Sequence, residues 1–446
     1  MKIIIAGAGG VGKHLAKLLA REKQDITLMD EDEDRLCNLD NNFDLMTMNA
    51  SPTSIEAQKE AGVANADLFI AVTPEETCNM TCCIIAKGLG AKKTVARIDN
   101  SEYLSEDFTE FFRKIGISSM IYPEALAAQD IVNGLKMSWV RQRWDVHDNA
   151  LVLLGIKLRE SCEILNEPLK TLCGPDTPYH VVAIKRGNDT LIPNGDDELR
   201  LFDLAYFMTT KQYIPFIRKM VGKEHYADVK NVMIMGGGKT SLRAVMEIPD
   251  YMNVKVIEQD EKRCERINEL IDNRTMVING DGRDLSLLID EGIKNTQAFV
   301  ALTGNAETNI LACLTAKRLG VIKTIAMVEN FDYVSMAESL DIGTLINKKT
   351  IAASHIYQMT LDADVDNVRF LMTANADVAE FNVDEDTKVT HKLVKDIGFP
   401  AGVTIGGLVR NGVGMLVSGN TQIEANDCVI VFCHEQQMRK IEKFFK

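Results

Sequence analysis

The sequence has no apolar run near the roughly 20 residues that a membrane-spanning helix requires, which excludes a chain that crosses the bilayer as helices. The run Ile3-Ile4-Ile5-Ala6 is too short for a signal-peptide core and leads straight into glycines, so a soluble, unexported protein is expected. A cysteine framework is missing as well. The 10 cysteines show no CxxC pairs with histidine partners, so no metal site and no disulfide scaffold is predicted. Cys78, Cys82 and Cys83 read as small apolar side chains that a helix turns into a core. Positive charge is in deficit, with a formal net charge of −14. That field repels nucleic acid and anionic headgroups, so neither nucleic-acid nor direct lipid binding is expected. Work at a membrane would then proceed by docking on another protein. Histidine is sparse, and His14, His147 and His180 stand in no carboxylate-rich motif.

What is present is an internal repeat. The 446 residues exceed what one core usually serves, with an ordinary 46% hydrophobic and 26% charged composition. Lys2-Ile3-Ile4-Ile5-Ala6-Gly7-Ala8-Gly9 is echoed by Asn231-Val232-Met233-Ile234-Met235-Gly236-Gly237-Gly238. Asn65–Thr73 is echoed by Asn295–Thr303, and Asn79, Lys87 and Tyr103 by Asn309, Lys317 and Tyr333. At a slightly shorter offset Arg186, Gly195 and Asp203 align with Arg410, Gly419 and Asp427. The order is therefore a large unit, a small unit, then both again, with a linker expected over Ile214–Lys230.

Within each large unit, short apolar runs (Ile3–Ala6, Ile26–Met29, Leu68–Val72, Thr94–Ile98) alternate with amphipathic stretches (Val11–Ala20, Cys78–Leu89). Buried strands alternating with helices predict an α/β fold, a doubly wound parallel sheet of Rossmann type, present twice in tandem. The small units carry β-like runs at Leu151–Leu158, Val181–Lys185 and Leu204–Met208, with a candidate hairpin at Pro193-Asn194-Gly195-Asp196. Each reads as a small α+β module.

The first half presents Gly7-Ala8-Gly9-Gly10-Val11-Gly12 between a strand and a helix. The first glycine allows the tight turn, the second lets a pyrophosphate approach the backbone, and the third lets helix and sheet pack closely. The helix N-terminus offers free N–H groups and partial positive charge to phosphate. Asp30, at the end of the next strand, can accept both ribose hydroxyls and would repel a 2′-phosphate. That favours NAD(H) or an adenine nucleotide (ATP or ADP) over NADP. Thr73 and Pro74 should face the crevice at the carboxyl edge of the sheet. Arg97, in a buried strand, needs either a phosphate or a structural acid. The second half reads Gly236-Gly237-Gly238-Lys239-Thr240-Ser241. Ser241 replaces the third glycine, so the helix is expected slightly farther from the sheet. A P-loop is excluded because Met233 stands where that motif needs glycine. Glu258 replaces Asp30, and Met327 replaces Arg97. Lys239 is either a phosphate ligand or a solvated side chain, and the second half either keeps or has lost binding.

The run Ala66–Thr73, Glu76, Asn79-Met80 and Ala96-Arg97-Ile98, followed by Tyr122-Pro123-Glu124 before a helix, resembles the RCK/KTN (regulator of potassium conductance) family. Leu191–Asp196 and Asp203 resemble its C-terminal domain. The sequence departs from the family at Asn49-Ala50-Ser51, where the second half has the more usual Gly280-Asp281-Gly282, and at Lys348-Lys349 in place of Pro123-Glu124. The resemblance implies nucleotide-binding domains at 1–125 and 230–350 and connecting helices at 126–148 and 351–369. C-terminal domains would follow at 149–212 and 370–446, with a linker at 213–229. It further implies a cytoplasmic, nucleotide-sensing regulatory subunit at the inner face of the membrane. Such a subunit is a homo-oligomer, a tetramer, that gates a potassium channel subunit of TrkH/TrkG type. Ile131–Trp144, apolar at helical spacing, is either a plain core helix or the element that carries motion to a neighbour.

Two other classes compete. An NAD-dependent dehydrogenase would need a substrate domain and a proton-handling group, yet everything beyond the first Rossmann unit is its repeat or a small β-rich module. No catalytic residue is therefore assigned. The other alternative is a regulator of a different cation transporter.

Overall fold

The computed structural model describes residues 1–37, 39, 43–147, 149–174, 177–271, 274–361, 363–371, 374–434 and 437–446. They form two compact units, Met1–Leu126 with Lys348–Asp362, and Ala127–Asn347 with Ala363–Lys446.

The first unit holds a parallel sheet of β1 (Lys2–Ala6), β2 (Asp25–Asp30), β3 (Met46–Asn49), β4 (Leu68–Ala71), β5 (Lys93–Arg97) and β6 (Ser119–Ile121) in the order 3-2-1-4-5-6. Ile3, Ile4 and Ile5 of central β1 are fully buried, as a strand covered on both faces requires. The helix Gly10–Arg21 turns Gly12, Leu15, Ala16, Leu19 and Ala20 inward, one stripe at helical period. The helix Glu76–Leu89 buries Asn79, Cys82, Cys83 and Ala86, and ends at Gly90 with φ 118°. The cysteines are thus core side chains. The helix Lys348–Gln358 packs on Gly10–Arg21, where Tyr357 Oη donates to Glu22 Oε1 at 2.5 Å.

The second unit opens with an antiparallel sheet of β7 (Gln142–Val146), β8 (Leu151–Lys157), β9 (Tyr179–Arg186), β10 (Asp189–Leu191) and β11 (Leu204–Thr209), in the order 10-9-11-8-7. A second parallel sheet follows, β12 (Asn231–Met235), β13 (Asn253–Glu258), β14 (Thr275–Asn279), β15 (Ala298–Ala301), β16 (Lys323–Met327) and β17 (Thr344–Ile346), ordered 14-13-12-15-16-17. The last sheet comprises β18 (Val365–Leu371), β19 (Ala376–Asn382), β20 (Val403–Arg410), β21 (Val413–Leu416) and β22 (Cys428–His434), ordered 18-19-22-20-21. Strand for strand this is the order of the first antiparallel sheet, so the duplication read from the sequence is a duplication of topology. The two antiparallel sheets share one core, in which Trp144, Leu153 and Tyr206 meet Val378, Ile430 and Phe432.

Four expectations are corrected. The helices expected over 126–148 and 351–369 begin earlier and are shorter, at Pro123–Leu135 and Lys348–Gln358. Residues 148 and 362 lie outside the described residues. Ile131–Trp144 is not one helix. Trp144 and Val146 are buried in β7, while Arg143 and Asp145, which alternate with them, pair at 2.7 Å, the two-residue period of a strand. The hairpin turn falls at Gly187-Asn188, with Arg186 opposite Asp189, and Gly187 takes φ 57°. The turn Pro193–Asp196 instead offers the Gly195 carbonyl to the Lys170 amide. Finally, the expected linker starts as a helix, Ile214–Met220. Its Ile217 and Met220, with Val221, enter the core of the first antiparallel module because they fall at i, i+3 and i+4.

The aligned Arg186–Asp203 and Arg410–Asp427 are both two-pronged ion pairs (3.0 and 2.8 Å; 2.8 and 2.7 Å), each closing on an aspartate only 1% exposed. Asp427→Ala removes the buried partner of Arg410, which keeps only Glu424 and the Gln422 carbonyl, and should cost about 1–3 kcal/mol, read as a lowered melting temperature. Replacing the exposed Asp196 should leave melting unchanged.

Candidate nucleotide-binding site

Gly7 takes φ 106°, and a Cβ there would stand 2.9 Å from the Thr73 nitrogen. At Gly12 a Cβ would fall 1.9 Å from the Gly7 carbonyl, so the helix approaches the turn as closely as the motif implies. The Asp30 carboxylate ends β2 against that turn. Its Oδ2 accepts from the Ala8 amide at 2.6 Å and its Oδ1 from the Asp32 amide at 2.9 Å. A carboxylate has lone pairs to spare for ribose hydroxyls, and these two bonds fix where it can offer them.

The opposite wall is held by a residue that sequence reasoning aligned but did not place in the site. Asn79, fully buried, accepts through Oδ1 from the Thr73 amide (2.8 Å) and hydroxyl (2.7 Å). It donates through Nδ2 to the carbonyls of Thr73 (3.0 Å) and Arg97 (2.9 Å), joining the ends of β4 and β5. The usable signal was a polar residue on the buried stripe of an otherwise apolar helix. Pro74 is exposed beside it. Arg97 has the structural acid, with Glu124 at 3.4 Å and Asp99 at 3.7 Å. Glu124 also takes Lys348 at 3.3 Å.

Beside that pair, Lys349 lies over the turn. A Cβ on Gly10 would meet its Cε at 2.3 Å and its Nζ at 3.0 Å. Asp30 and Thr73 thus meet the turn from two sides, and Lys349, which the sequence did not single out as a site residue, lies over it from a third. The cation adds to a positive field on the helix face below. Burial first, then Arg21, Lys17 and Lys349, push His14 from 6.5 down to about 4.

The second half repeats the walls. Gly236 takes φ 102°, Glu258 accepts from the Gly237 amide (2.6 Å) and the Asp260 amide (2.9 Å), and Asn309 clamps Thr303 and the Met327 carbonyl. Ser241 Oγ donates to the Gly236 carbonyl, the counterpart of the Gly7 carbonyl that a Gly12 Cβ would strike. The third glycine is therefore replaced by a hydrogen bond across the same approach. Gly236, Gly237, Gly238, Glu258, Asp281 and Thr303 all line one crevice of about 460 Å³, a size that suits a nucleotide fragment. Arg283, bonded to Asp281 at 2.7 Å, pulls that carboxyl down to about 2. Lys239 and Thr240 do not line the crevice. Lys239 is exposed at the first position of its helix, and Thr240 is buried.

Two six-stranded Rossmann-type sheets with paired antiparallel modules define the class, the RCK-type architecture. The RCK domain of GsuK in crystal form superposes over 100% of this chain and 94% of its own, with TM-score 0.60 at 13% identity. A GsuK channel structure described as bound to NAD gives TM-score 0.60 at 14% identity, covering 100% of this chain and 78% of that one. The TrkA-N domain model matches residues 3–123 and 232–348, and the TrkA-C domain model residues 378–446. The chain belongs to the TrkA family. It is 30% identical over its whole length to the Trk system potassium uptake protein TrkA of Halomonas elongata and to that of Haemophilus influenzae, with 99% of each covered. That of Azorhizobium caulinodans is 28% identical, with the same coverage. These relatives are potassium uptake proteins, not dehydrogenases.

The His14 shift sets a pH signature. The folded state binds this proton less readily than the unfolded chain, so His14 contributes full stability above about pH 6.5, lost as pH falls toward 4. Between those values the melting temperature of the wild type should fall more steeply than that of His14→Gln. Parallel curves would remove the assignment.

Proposed function

We propose that the chain is a cytoplasmic, nucleotide-sensing regulatory subunit that docks at the inner face of the membrane on a potassium channel subunit of TrkH/TrkG type and gates it. It would act as a homo-oligomer, a tetramer. The observation that carries this reading is the strand-end carboxylate fixed on a glycine turn, built twice in a chain that matches 99% of the length of a Trk uptake protein. No helix among the described residues is long and apolar enough to cross a membrane, which agrees with peripheral docking.

In this reading NAD(H), ATP or ADP lies across Gly7, Ala8, Gly9, Gly10, Val11 and Gly12 with its ribose on Asp30 and its edge against Thr73 and Pro74. A second nucleotide lies across Gly236–Gly238 with its ribose on Glu258. Arg97 acts through Glu124 as a positioning residue. Lys349 supplies a cation near the phosphates of the first site, while Lys239 stays outside the second crevice. The modules are the four that the sequence divides, 1–125, 149–212, 230–350 and 370–446, with the joints taken from the helices and not from 126–148 and 351–369.

The bound nucleotide supplies charge and shape, not a reaction. It can gate only through different affinities for two arrangements of the subunit, and a coupling of about 1–3 kcal/mol is a working switch. The helix Lys348–Gln358, whose Lys349 lies over the turn, takes the transmitting role that was one of two readings of Ile131–Trp144.

Asp30→Ala should weaken ADP or NAD binding about ten- to hundred-fold, the value of hydrogen bonds to a charged group. Nucleotide-dependent changes in potassium flux should vanish with it. Calorimetric titration of both nucleotides, with Glu258→Ala as the second-site partner, measures the first effect, and flux in reconstituted vesicles measures the second. Regulation unchanged by Asp30→Ala would refute the proposal.

A further inference from the structure

Where the two antiparallel modules share their core, one rim gathers metal-ligating side chains away from the nucleotide site. His147 follows β7 in the first module, Asp366 sits in β18 and Cys428 begins β22 in the second. One ligand atom from each lies within 4.8 Å of the others. Asp366 falls where β18 shifts register on β19, between Val365 and Asn367. Asn382, opposite Cys428 in the ladder, donates to Asp366 at 2.8 Å and orients its carboxylate.

The Cys428 thiol is 3% exposed and makes no hydrogen bond among the described residues, although it faces this group. The charges around it are mostly negative. Asp364, Asp366, Glu380 and Asp427 all act on the thiol. Asp427 is neutralised by Arg410, and Arg369 bears on Glu380. His147 and Asp366 are exposed, so an ion has a path in, while the thiol closes the site from below.

We propose that His147, Asp366 and Cys428 form a binding site for a zinc-class divalent cation. One thiolate, one imidazole and one carboxylate make a mixed sulfur, nitrogen and oxygen set that suits zinc, with its fourth position left to water. Calcium and magnesium take oxygen ligands and gain nothing from the thiol. On binding, the thiol proton leaves to solvent and a sulfur–metal bond forms. No electron is transferred. Because the ligands come from both modules, the ion fastens the first module to the second and stabilises the folded state by mass action.

Titration of zinc chloride into the full chain, first stripped with chelator, should show one ion bound per chain through this site. Cobalt as optical probe should give a thiolate-to-metal charge-transfer band. Cys428→Ser should lose that band, and His147→Ala, on the exposed side, should weaken zinc binding at least roughly ten-fold without disturbing the core. Zinc should raise the melting temperature of the wild type and of neither variant. Zinc binding and melting in both variants equal to the wild type would overturn the site and place the ion on other thiols such as exposed Cys37. A wild type that shows neither binding nor the band would overturn it too.

Discussion

The geometry of both crevices depends on one hydrogen bond, from the backbone of a glycine turn to the carboxylate that ends the neighbouring strand. Ala8 to Asp30 and Gly237 to Glu258 are both 2.6 Å, short even for a charge-assisted bond. A glycine turn alone is conformationally loose. Tied to the strand end, it presents its remaining amides in one direction, and the helix that follows inherits that orientation. On the far wall Asn79 and Asn309 do the complementary work, holding a threonine turn to the adjacent strand. The crevice is thus shaped from both sides before any ligand arrives, which lowers the ordering cost of binding.

On this common frame the halves have diverged in ways that conserve physics rather than residue type. Gly12 avoids the Gly7 carbonyl by having no side chain, and Ser241 meets the equivalent carbonyl with a hydroxyl. Gly10 and Lys239 occupy the same aligned position. The second half carries its lysine there, whereas the first leaves the space open and the side chain of Lys349 lies over it. A cation near the positive end of a helix is unfavourable by itself, and an anion between them reverses the sign. The loss of Arg97 in favour of Met327 follows the same logic. The acid Glu124 that Arg97 neutralises has Lys349 as its aligned counterpart, and the neighbouring Lys348, aligned with Pro123, reaches Glu124 itself.

Much of this was legible in the sequence wherever the physics is local. Ile3–Ala6 and Leu68–Val72 declare buried strands by composition, the glycines declare the turn, and Asp30 and Glu258 stand where the next strand must end. Arg186 with Asp203 was visible as an aligned pair and proved to be a bond. What stayed hidden depends on partners far along the chain. Trp144 reads as helical until its strand neighbours appear, because a lone tryptophan has no period. Ile214–Met220 looks like a linker by its proline and charges, and only the core beneath it explains Ile217. Nothing near Lys349 announces Gly10, and nothing near Cys428 announces His147.

The threading of the chain says how a site in one unit can matter to the other. The helix Lys348–Gln358 belongs to the first unit, while the strands on either side of it, β17 and β18, belong to the second. Between β17 and that helix stands only Asn347, 2% exposed, whose side chain donates to the Val328 carbonyl at 2.8 Å. A connection of one anchored residue has no slack to absorb a shift. In the proposed reading, a phosphate that draws Lys349 toward the Gly9–Val11 turn acts on Asn347 and the end of β17 along the chain itself, without needing a chain of side-chain contacts. Coupling of this kind requires only that the two arrangements of the helix differ by a few kcal/mol, which a single charge-assisted bond to phosphate can tip.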